Sequence, residues 1–323
     1  MKHILISGAD GFIGSHLCEM LLQKGYKIRA LSYYNSFNFW GNLEQSPFLK
    51  DIEVISADIR DSFLCEKITR GIDVIFHLAA LIAIPYSYQA PQSYVDTNIK
   101  GTLNMLQAAL KNGVSKFIHT STSEVYGSAC YVPIDEKHPL QPQSPYSASK
   151  IAADMMALSY YHSFELPLII ARPFNTYGPR QSARAIIPTI ITQILSGAKE
   201  LKLGDLSPTR DFNFVLDTCE ALCAFLELEE YGEVFNIGSG NEISILELVS
   251  LLQKLLGTTI TITQDKARIR PKNSEVLRLC CDSSKLQKYS LWQSKFSLEE
   301  GLQRSIEYCK ENLHRYKSEL YNV

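Results

Sequence analysis

Short apolar runs alternate with helix-length amphipathic segments along the first half of this sequence, and this alternation constrains the fold more than any other feature. In chain order the runs are HILIS, KIRALS, IEVIS, DVIFHLA, KFIHTS and PLIIA. Apolar strands separated by helices are typical of a parallel sheet that is covered by helices on both faces. The sequence therefore predicts an α/β fold built on a doubly wound parallel sheet.

The domain organisation follows from chain length and from a change in this rhythm. A chain of 323 residues with 46% hydrophobic residues exceeds the usual size of a single core. We predict that residues 1–173 form the sheet domain and that residues 174–323 form mainly a smaller mixed α/β lobe. Segments near 211–240 are expected to return to the sheet domain. The loops 33–50 and 127–144 are long for a compact fold, which is typical of functional loops.

Charge and cysteine content exclude several classes of function. The formal net charge is −2 with 20% charged residues, so no global field attracts nucleic acid or an anionic membrane. Apolar stretches are far shorter than the ~20 residues of a membrane span. The eight cysteines form no C-x-x-C pair, Cys219 and Cys223 lack partners for a metal site, and the chain starts with a strand pattern rather than a secretory signal. We expect a soluble cytoplasmic protein without a metal.

The segment GADGFIG directly follows the first predicted strand, residues 2–7, and leads into a predicted helix at 13–24. Small residues at such a turn let the backbone approach a pyrophosphate, and the helix N-terminus supplies unpaired N–H groups and a positive dipole end. A tight turn with close packing would also explain three glycines, but the strand-turn-helix position favours a dinucleotide. The candidate cofactor-binding residues are Gly8, Asp10, Gly11, Phe12, Ile13 and Gly14.

Two later strand ends belong to the same predicted crevice. Asp58 and Ile59 follow the third strand, where a carboxylate and a backbone amide could read an adenine edge. Leu78, Ala79 and Ala80 follow the fourth strand, and the alanines leave space for a ligand. The carboxyl ends of the strands form the ligand crevice in sheets of this kind.

Two other patterns are candidates for chemistry. Glu124 in STSEVYG follows the apolar run KFIH. Burial of a carboxylate near the end of such a strand costs free energy, which suggests that the residue has a function. Tyr146 and Lys150 in YSASK are four residues apart and therefore share one face of a helix. Each pattern has an ordinary explanation when it stands alone. A buried acid can pair with a neighbouring Arg or Lys, and Y-x-x-x-K is common on exposed helices.

Together, the motifs GADGFIG, HLAA, STSEVYG, YSASK, RPFNTYGPR, RDFNFV and VFNIGSG resemble, in this order and over nearly the whole chain, the nucleotide-sugar branch of the extended short-chain dehydrogenase/reductase family. The resemblance implies a Rossmann-type domain that binds NAD and a lobe that binds a nucleotide-diphosphate sugar. It also implies that Tyr146 is the base for the sugar C4 hydroxyl, that Lys150 lowers the pKa of this tyrosine, and that Thr122 binds the same C4 oxygen.

Glu124 makes the resemblance more specific, because plain 4-epimerases of the family have no acid at this position. Oxidation at C4 makes the C5 proton acidic, and a carboxylate beside the sugar can remove it while the C6 hydroxyl leaves as water. This is the chemistry of a nucleotide-sugar 4,6-dehydratase. Dehydratases of dTDP-glucose have Thr-Asp-Glu here, whereas Thr122, Ser123 and Glu124 are similar to the Thr-Ser-Glu of GDP-mannose 4,6-dehydratases. We therefore expect Glu124 to act as both base and acid, with Ser123 positioning it.

One departure concerns the cofactor. The family usually has an Asp at the end of the second strand that binds the adenosine ribose hydroxyls, and this sequence has Ser32 there. A serine can hydrogen-bond the ribose but carries no charge to repel a 2′-phosphate. NAD is the expected cofactor, and NADP remains an alternative.

The nucleotide end of the substrate requires cations, because Arg binds phosphate oxygens bidentately. The resemblance assigns Arg210 and Arg270 to the diphosphate and Asn175 to the sugar-phosphate. Three other arginines lie near these motifs without a motif match and are expected at the surface, namely Arg180, Arg184 and Arg268.

The stretches GADGFIGSHL, YNSFNFWG and RPFNTYGPRQSARAIIPT are similar to the dehydratases of legionaminic acid biosynthesis. That similarity implies GDP-N-acetylglucosamine as the substrate.

Two enzyme alternatives and one non-enzyme alternative remain. A UDP-glucuronate decarboxylase also uses STSEVYG, but its tyrosine motif resembles CYDEGK rather than PYSASK, and an NDP-sugar 4-epimerase needs only the tyrosine. A cofactor-sensing regulator would typically lose the tyrosine or lysine.

The predicted helices 93–112 and 146–165 carry apolar stripes, as do the helices through which the family dimerises, so we expect a homodimer or higher homo-oligomer. Core packing would also explain the stripes.

Overall fold

A single sheet of seven parallel strands forms the centre of the protein, which we describe from a computed structural model covering residues 2–321. The strand order is β10-β6-β5-β4-β1-β2-β3, with every neighbouring pair parallel. The strands are β1 His3–Ser7, β2 Lys27–Ser32, β3 Ile52–Ser56, β4 Val74–His77, β5 Lys116–Thr120, β6 Leu168–Pro173 and β10 Val234–Ile237. The predicted doubly wound parallel sheet is confirmed.

Helices cover both faces of this sheet, as the apolar strand sequences require. The helices of the larger unit are α1 Phe12–Gln23, α2 Ser62–Ile68, α3 Ile84–Gln89, α4 Pro91–Tyr94, α5 Gly101–Lys111, α6 Pro145–Phe164 and α8 Val215–Ala224. Successive side chains of β1 belong to different cores: Ile4 and Ile6 pack with α1 and α8, whereas Leu5 packs with α2, α5 and α6. This alternation is the period-two geometry of a strand that is buried on both faces.

The helix expected at 93–112 is interrupted. Residues Pro91–Tyr94 (α4) continue into a π-helical segment, Val95–Lys100, before regular α-helix resumes at Gly101. The widened turn brings Asn98 inward: its side chain donates hydrogen bonds to the Leu81 carbonyl and to Ser149 Oγ on α6, each 2.9 Å long. Such π-helical turns often occur at functional sites, and this one links the loop after β4 to α6.

The smaller lobe contains two minor sheets. Its strands are β7 Asn175–Tyr177, β8 Glu200–Leu203, β9 Thr209–Phe214, β11 Glu242–Ser244 and β12 Thr261–Gln264, and its helices are α7 Ile186–Leu195, α9 Ile245–Leu255, α10 Ser284–Tyr289 and α11 Leu298–Glu311. Strand β9 lies between β11 and β7, and β12 pairs with β8. Residues 215–237 return to the large sheet, where α8 packs on α1 and β10 pairs with β6. Residues 212–215 of the RDFNFV motif thus lie mostly in the minor sheet, whereas residues 234–237 of the VFNIGSG motif supply a strand of the major one.

Within residues 2–321, no helix is both long enough and apolar enough to cross a membrane.

Candidate active site

The carboxyl ends of the central strands lie side by side, and the predicted site residues follow them. Register pairs Ser7 with Leu31 on one side and with His77 on the other, so the ends of β1, β2 and β4 are level. His77 is in turn level with His119 of β5. The chain reverses its direction of winding between β1 and β4, which is where ligands bind in open parallel sheets.

The glycine-rich loop after β1 is packed so tightly that side chains are excluded. Gly8 has φ +69°, and a Cβ there would lie 2.9 Å from the backbone nitrogen of Ala79. At Gly14 a Cβ would lie 2.2 Å from the Gly8 carbonyl oxygen. Gly11 is the N-cap of α1, where no side chain caps the helix. The first turn of α1 therefore presents free N–H groups next to a side-chain-free backbone, which fits the pyrophosphate of a dinucleotide.

The other predicted cofactor residues surround this loop. Ser32 ends β2 and donates a hydrogen bond to the Asp10 carboxylate. Asp58 lies after β3, where the Arg60 guanidinium binds its carboxylate and holds its pKa below the ordinary value. Ala79, after β4, donates its N–H to Ser7 Oγ at 3.1 Å, as does Leu78. Phe12 and Ile13 form the first turn of α1, Ile59 is buried next to Asp58, and Ala80 follows Ala79.

A short 3-10 turn after β5 carries the predicted acid. Thr122 has extended backbone and precedes the turn Ser123–Tyr126, and its Oγ1 accepts a hydrogen bond of 3.2 Å from the Glu124 N–H. Ser123 is 2% exposed, whereas Glu124 is only partly buried. Gly127 ends the turn with φ +63°. The turn thus fixes the backbone of Glu124 while leaving its side chain partly accessible from the crevice.

The first two turns of α6 carry the tyrosine and the lysine. Ser144 caps the helix, because its Oγ accepts from the Ser147 N–H at 3.1 Å and the Ser144 N–H donates to Ser147 Oγ. This capping box starts the helix immediately before Tyr146. Tyr146 and Lys150 are 6% and 3% exposed. Lys150 Nζ donates a 2.8 Å hydrogen bond to the Thr120 carbonyl at the end of β5, so α6 is tied to the strand that carries Thr122.

Burial acts in opposite directions on the two ionisable groups. It raises the pKa of Tyr146, while a hydrogen bond to Thr122 lowers it and the Glu124 charge raises it further. Burial lowers the pKa of Lys150 to about 8, against the opposing charge of Asp154. At neutral pH the Tyr146 hydroxyl is therefore protonated and Lys150 is mostly charged. A further positive charge close to Tyr146 would lower its pKa.

Asp154 lies one turn beyond Lys150 and is the centre of a buried ionic cluster. It is 0% exposed, and its Oδ2 accepts from Ser121 Oγ at 2.8 Å and from Arg172 Nη2 at 3.0 Å. His119 Nε2 lies 3.2 Å from Asp154 Oδ1. Burial alone would raise the pKa of Asp154, but His119 and the Arg172 charge hold it below the ordinary value. This cluster joins β5, β6 and α6 beneath the candidate site.

We expect Asp154→Ala to lower the free energy of unfolding by about 3–5 kcal/mol, because it leaves the Arg172 guanidinium buried without its counter-ion. Denaturant unfolding followed by circular dichroism measures this change. The control is Glu220→Ala, which removes an exposed pair with Lys295 and should cost no more than about 1 kcal/mol. Equal losses in the two variants would contradict the role of the buried cluster.

The predicted phosphate-binding arginines converge on one carboxylate. Arg210 Nη2 lies 3.1 Å and Arg270 Nη1 lies 3.5 Å from Glu275 Oε1. Arg210 is 7% exposed, and burial lowers its pKa while the Glu124 charge raises it. Asn175 starts β7, and its buried Oδ1 has no hydrogen-bond partner among the described residues 2–321. The two guanidinium groups thus share the Glu275 carboxylate, and the Glu124 charge also acts on Arg210.

The expectation of a surface position is wrong for Arg180 and Arg268. Arg180 Nη2 lies 2.7 Å from Glu19 Oε1 of α1, and its side chain is 11% exposed. The side chain of Arg268 is 13% exposed and pairs with Asp265. Both are covered because the smaller lobe packs against the sheet domain and against its own C-terminal segment, which local sequence does not reveal. Arg184 is exposed, as expected.

Sequence reasoning missed three residues that organise the site: Asn98, Asp154 and Glu275. Asp154 could have been predicted from the sequence, since it is an acid four residues after Lys150 on the same helix face. Asn98 and Glu275 could not be predicted in this way, because their contacts with Ser149 and Arg210 join residues that are distant along the chain. Within residues 2–321, no cluster of three His, Cys, Asp or Glu side chains has the geometry of a metal site.

Comparisons with known proteins identify the family of this chain. Residues 5–305 match the family model described as GDP-mannose 4,6 dehydratase. The human dTDP-D-glucose 4,6-dehydratase is 32% identical over 98% of this chain and 92% of its own length. The crystal structure of DesIV, a dTDP-glucose 4,6-dehydratase from Streptomyces venezuelae with NAD bound, superposes with a TM-score of 0.90 at 31% identity, covering 98% of this chain and 99% of that one. A UDP-glucuronic acid 4-epimerase from Bacillus cereus with NAD bound gives 0.88 at 32% identity, covering 96% and 99%.

Proposed function

This chain belongs to the GDP-mannose 4,6-dehydratase family of extended short-chain dehydrogenases/reductases, and on that premise we propose that it is an NAD-dependent nucleotide-sugar 4,6-dehydratase. Its product would be a 4-keto-6-deoxy sugar. The observation that carries this proposal is the placement of Glu124. Its charge acts on the buried Tyr146 and on the buried Arg210, so the carboxylate is within electrostatic reach of the candidate base and of a candidate phosphate-binding arginine.

NAD fits the crevice at the strand ends. Gly8 and Gly14 have no room for a side chain, so their backbone could approach a pyrophosphate, and Asp10 and Asp58 would hold the adenosine end. When bound, NAD would supply the acceptor for the C4 hydride and its return to C6. Its positive charge, added to that of Lys150, would also lower the pKa of Tyr146.

The protein side chains move the protons. Tyr146, as the phenolate, takes the proton of the C4 hydroxyl while Thr122 holds the C4 oxygen. The C4 ketone acidifies the C5 hydrogen, and Glu124 removes it as a proton. Glu124 then gives this proton to the departing C6 oxygen, which leaves as water. Tyr146 releases the C4 hydroxyl proton to solvent and a solvent proton returns to C5, so atoms and charges balance over the turnover.

Ser123 supports this double use of Glu124. A neutral hydroxyl cannot serve as a separate acid of suitable pKa for the C6 oxygen, and Ser123 is 2% exposed within the turn. Glu124 is then the acid of the turn that can reach the leaving group. We assign Ser123 to positioning the turn.

The proposed substrate is GDP-N-acetylglucosamine, and the proposed role is a step in legionaminic acid biosynthesis. Support comes from the Thr122-Ser123-Glu124 motif and from the stretches GADGFIGSHL and YNSFNFWG. Arg210, Arg270 and Asn175 would hold the diphosphate and sugar-phosphate. Two of the relatives named above, the human enzyme and DesIV, are dTDP-glucose 4,6-dehydratases, so the test includes that sugar nucleotide.

Mass spectrometry in deuterated water tests the activity and the substrate together. The protein is incubated separately with GDP-N-acetylglucosamine, UDP-N-acetylglucosamine, dTDP-glucose and UDP-glucuronate. We expect loss of one water, with one deuterium gained at C5, and fastest consumption of GDP-N-acetylglucosamine. Faster consumption of dTDP-glucose would overturn the substrate and leave the dehydratase activity intact. Loss of carbon dioxide from UDP-glucuronate alone, or a change of configuration without loss of water, would overturn the dehydratase activity itself.

Arg270→Ala should raise the KM for the sugar nucleotide by about 10- to 100-fold, because a charge-assisted hydrogen bond contributes roughly 1.5–3 kcal/mol. Because this contact is made equally in the ground and transition states, kcat should change little. Steady-state kinetics measure both constants. The control is Arg304→Ala, an exposed arginine that lies over Phe296 in the smaller lobe and should leave KM unchanged. An unchanged KM for Arg270→Ala would remove this residue from the binding site.

We also propose a homodimer in the cytoplasm. Helix-borne apolar side chains are exposed at Val95, Met155 and Phe164, with 45%, 44% and 54% of their surface accessible. All eight cysteines lie within the described residues, and all are free thiols, as a reducing compartment would require. A monomer found by light scattering at micromolar concentration would overturn the dimer.

A further inference from the structure

A carboxylate lies beside the end of β2 although the residue that ends this strand is a serine. Ser32 Oγ donates a 3.0 Å hydrogen bond to Asp10 Oδ2, and the Tyr33 N–H donates to the same oxygen over 3.2 Å. Asp10 comes from the glycine-rich loop after β1, 22 residues earlier in the chain. The loop therefore brings a negative charge to the place where β2 ends.

The position of Asp10 is fixed by the segment that follows β2. The Asn42 N–H donates a 2.9 Å hydrogen bond to the Asp10 carbonyl. Gly41 has φ +56°, and a Cβ there would lie 2.5 Å from the same carbonyl oxygen. Only glycine lets this segment pack so closely on the loop. Asp10 is thus held on both sides, by the end of β2 and by residues 41–42.

One oxygen of the Asp10 carboxylate remains available for a ligand. Both hydrogen bonds go to Oδ2, and no donor in the described part of the chain, residues 2–321, reaches Oδ1. The residue is partly exposed at the crevice. A carboxylate oxygen in this position can accept hydrogen bonds from the vicinal hydroxyls of a ribose.

Arg60, whose side chain reaches the Tyr33 hydroxyl, is already paired with the Asp58 carboxylate. Arg60 Nη2 lies 2.6 Å from Asp58 Oδ2 and also donates to the Tyr33 hydroxyl at 3.0 Å. Its charge is offset by Asp58, so it is not free to bind a second anion. A 2′-phosphate, with a charge of about −1.5 to −2, would meet the Asp10 carboxylate instead. Repulsion there disfavours NADP.

We propose that Asp10 binds the adenosine ribose hydroxyls and selects NAD over NADP, with Ser32 and the Tyr33 amide orienting it. The carboxylate is thereby supplied by the glycine-rich loop rather than by the second strand. This inference rests on the proposed function only through its cofactor, because the identity of the sugar has no part in it.

Isothermal titration of the full chain with NAD⁺ and, separately, with NADP⁺ tests this inference. Nucleotide that copurifies is first released and identified by mass spectrometry. We expect the wild type to release and prefer NAD⁺. Asp10→Asn should bind NAD⁺ about tenfold or more weakly, because a charged acceptor is lost, and should bind NADP⁺ more tightly. Ser32→Ala keeps the charge and should keep the preference for NAD⁺.

Two outcomes would overturn the assignment. One is an Asp10→Asn variant whose ratio of NADP⁺ to NAD⁺ dissociation constants stays within twofold of the wild type. The other is a Ser32→Ala variant whose ratio collapses as far as that of Asp10→Asn, which would give the selectivity to Ser32. Asp10→Ser serves as a second variant if the amide disturbs folding, which thermal unfolding reveals. Because these titrations need no sugar nucleotide, a failure of the dehydratase proposal would leave their outcome readable.

Discussion

Replacing Glu124 with Gln should stop the loss of water while hydride transfer from C4 continues. The amide cannot take the C5 proton or protonate the C6 oxygen, whereas Tyr146, Lys150 and Thr122 remain in place. We expect formation of the 4-keto-6-deoxy product to fall by about 10²- to 10⁴-fold, the usual contribution of a general acid–base group. In a single turnover with excess enzyme, the absorbance of the reduced nicotinamide should rise and persist.

The control for this variant is Glu200→Gln, which neutralises an exposed carboxylate on β8 near Lys202. It should keep the wild-type rate. Deuterium exchange at C5 gives an independent readout, because Glu124→Gln should slow exchange even where C4 is already oxidised. Normal dehydration by Glu124→Gln would exclude Glu124 as the base. Loss of both hydride transfer and dehydration would instead assign Glu124 to substrate binding or to the first step.

Replacing Tyr146 with Phe should block the reaction one step earlier. Without the phenolic oxygen no group takes the C4 hydroxyl proton, so C4 is not oxidised and the C5 proton never becomes acidic. We expect both hydride transfer and dehydration to fall by about 10²- to 10⁴-fold together. Stopped-flow absorbance of the nicotinamide and product mass spectrometry measure the two steps on the same sample.

Tyr160→Phe is a matched control on the same helix, since Tyr160 is also buried and its hydroxyl donates a 2.8 Å hydrogen bond to Gln107. This variant should lose a little stability and no activity. If Tyr146→Phe accumulated reduced nicotinamide as Glu124→Gln is expected to do, the order of the two steps would be wrong. The contrast between the variants therefore separates the tyrosine-dependent oxidation from the glutamate-dependent elimination.

Local sequence patterns account for part of the fold and for part of the candidate site. The side-chain period of a strand is two, so the continuous apolar run in β1 places Ile4 and Ile6 in one core and Leu5 in the other. The four-residue spacing places Tyr146 and Lys150 on one face of α6. The glycines of the loop after β1 can be predicted from the turn they make, since such a turn excludes a Cβ. Each of these inferences concerns residues only a few positions apart.

Tertiary structure alone decided how distant residues meet. Glu275 lies 65 positions after Arg210, and their ion pair exists because the segment after β12 folds back on β9. Asp154 reaches His119 and Arg172 because α6 packs on β5 and β6, and Asp10 reaches Ser32 because β1 and β2 are neighbours in the sheet. Periodicity encodes which side of an element is buried, but the identity of the neighbour depends on strand order and register. The sequence by itself therefore determined the sheet, its glycine-rich loop and the tyrosine–lysine pair, whereas packing decided which charges surround them.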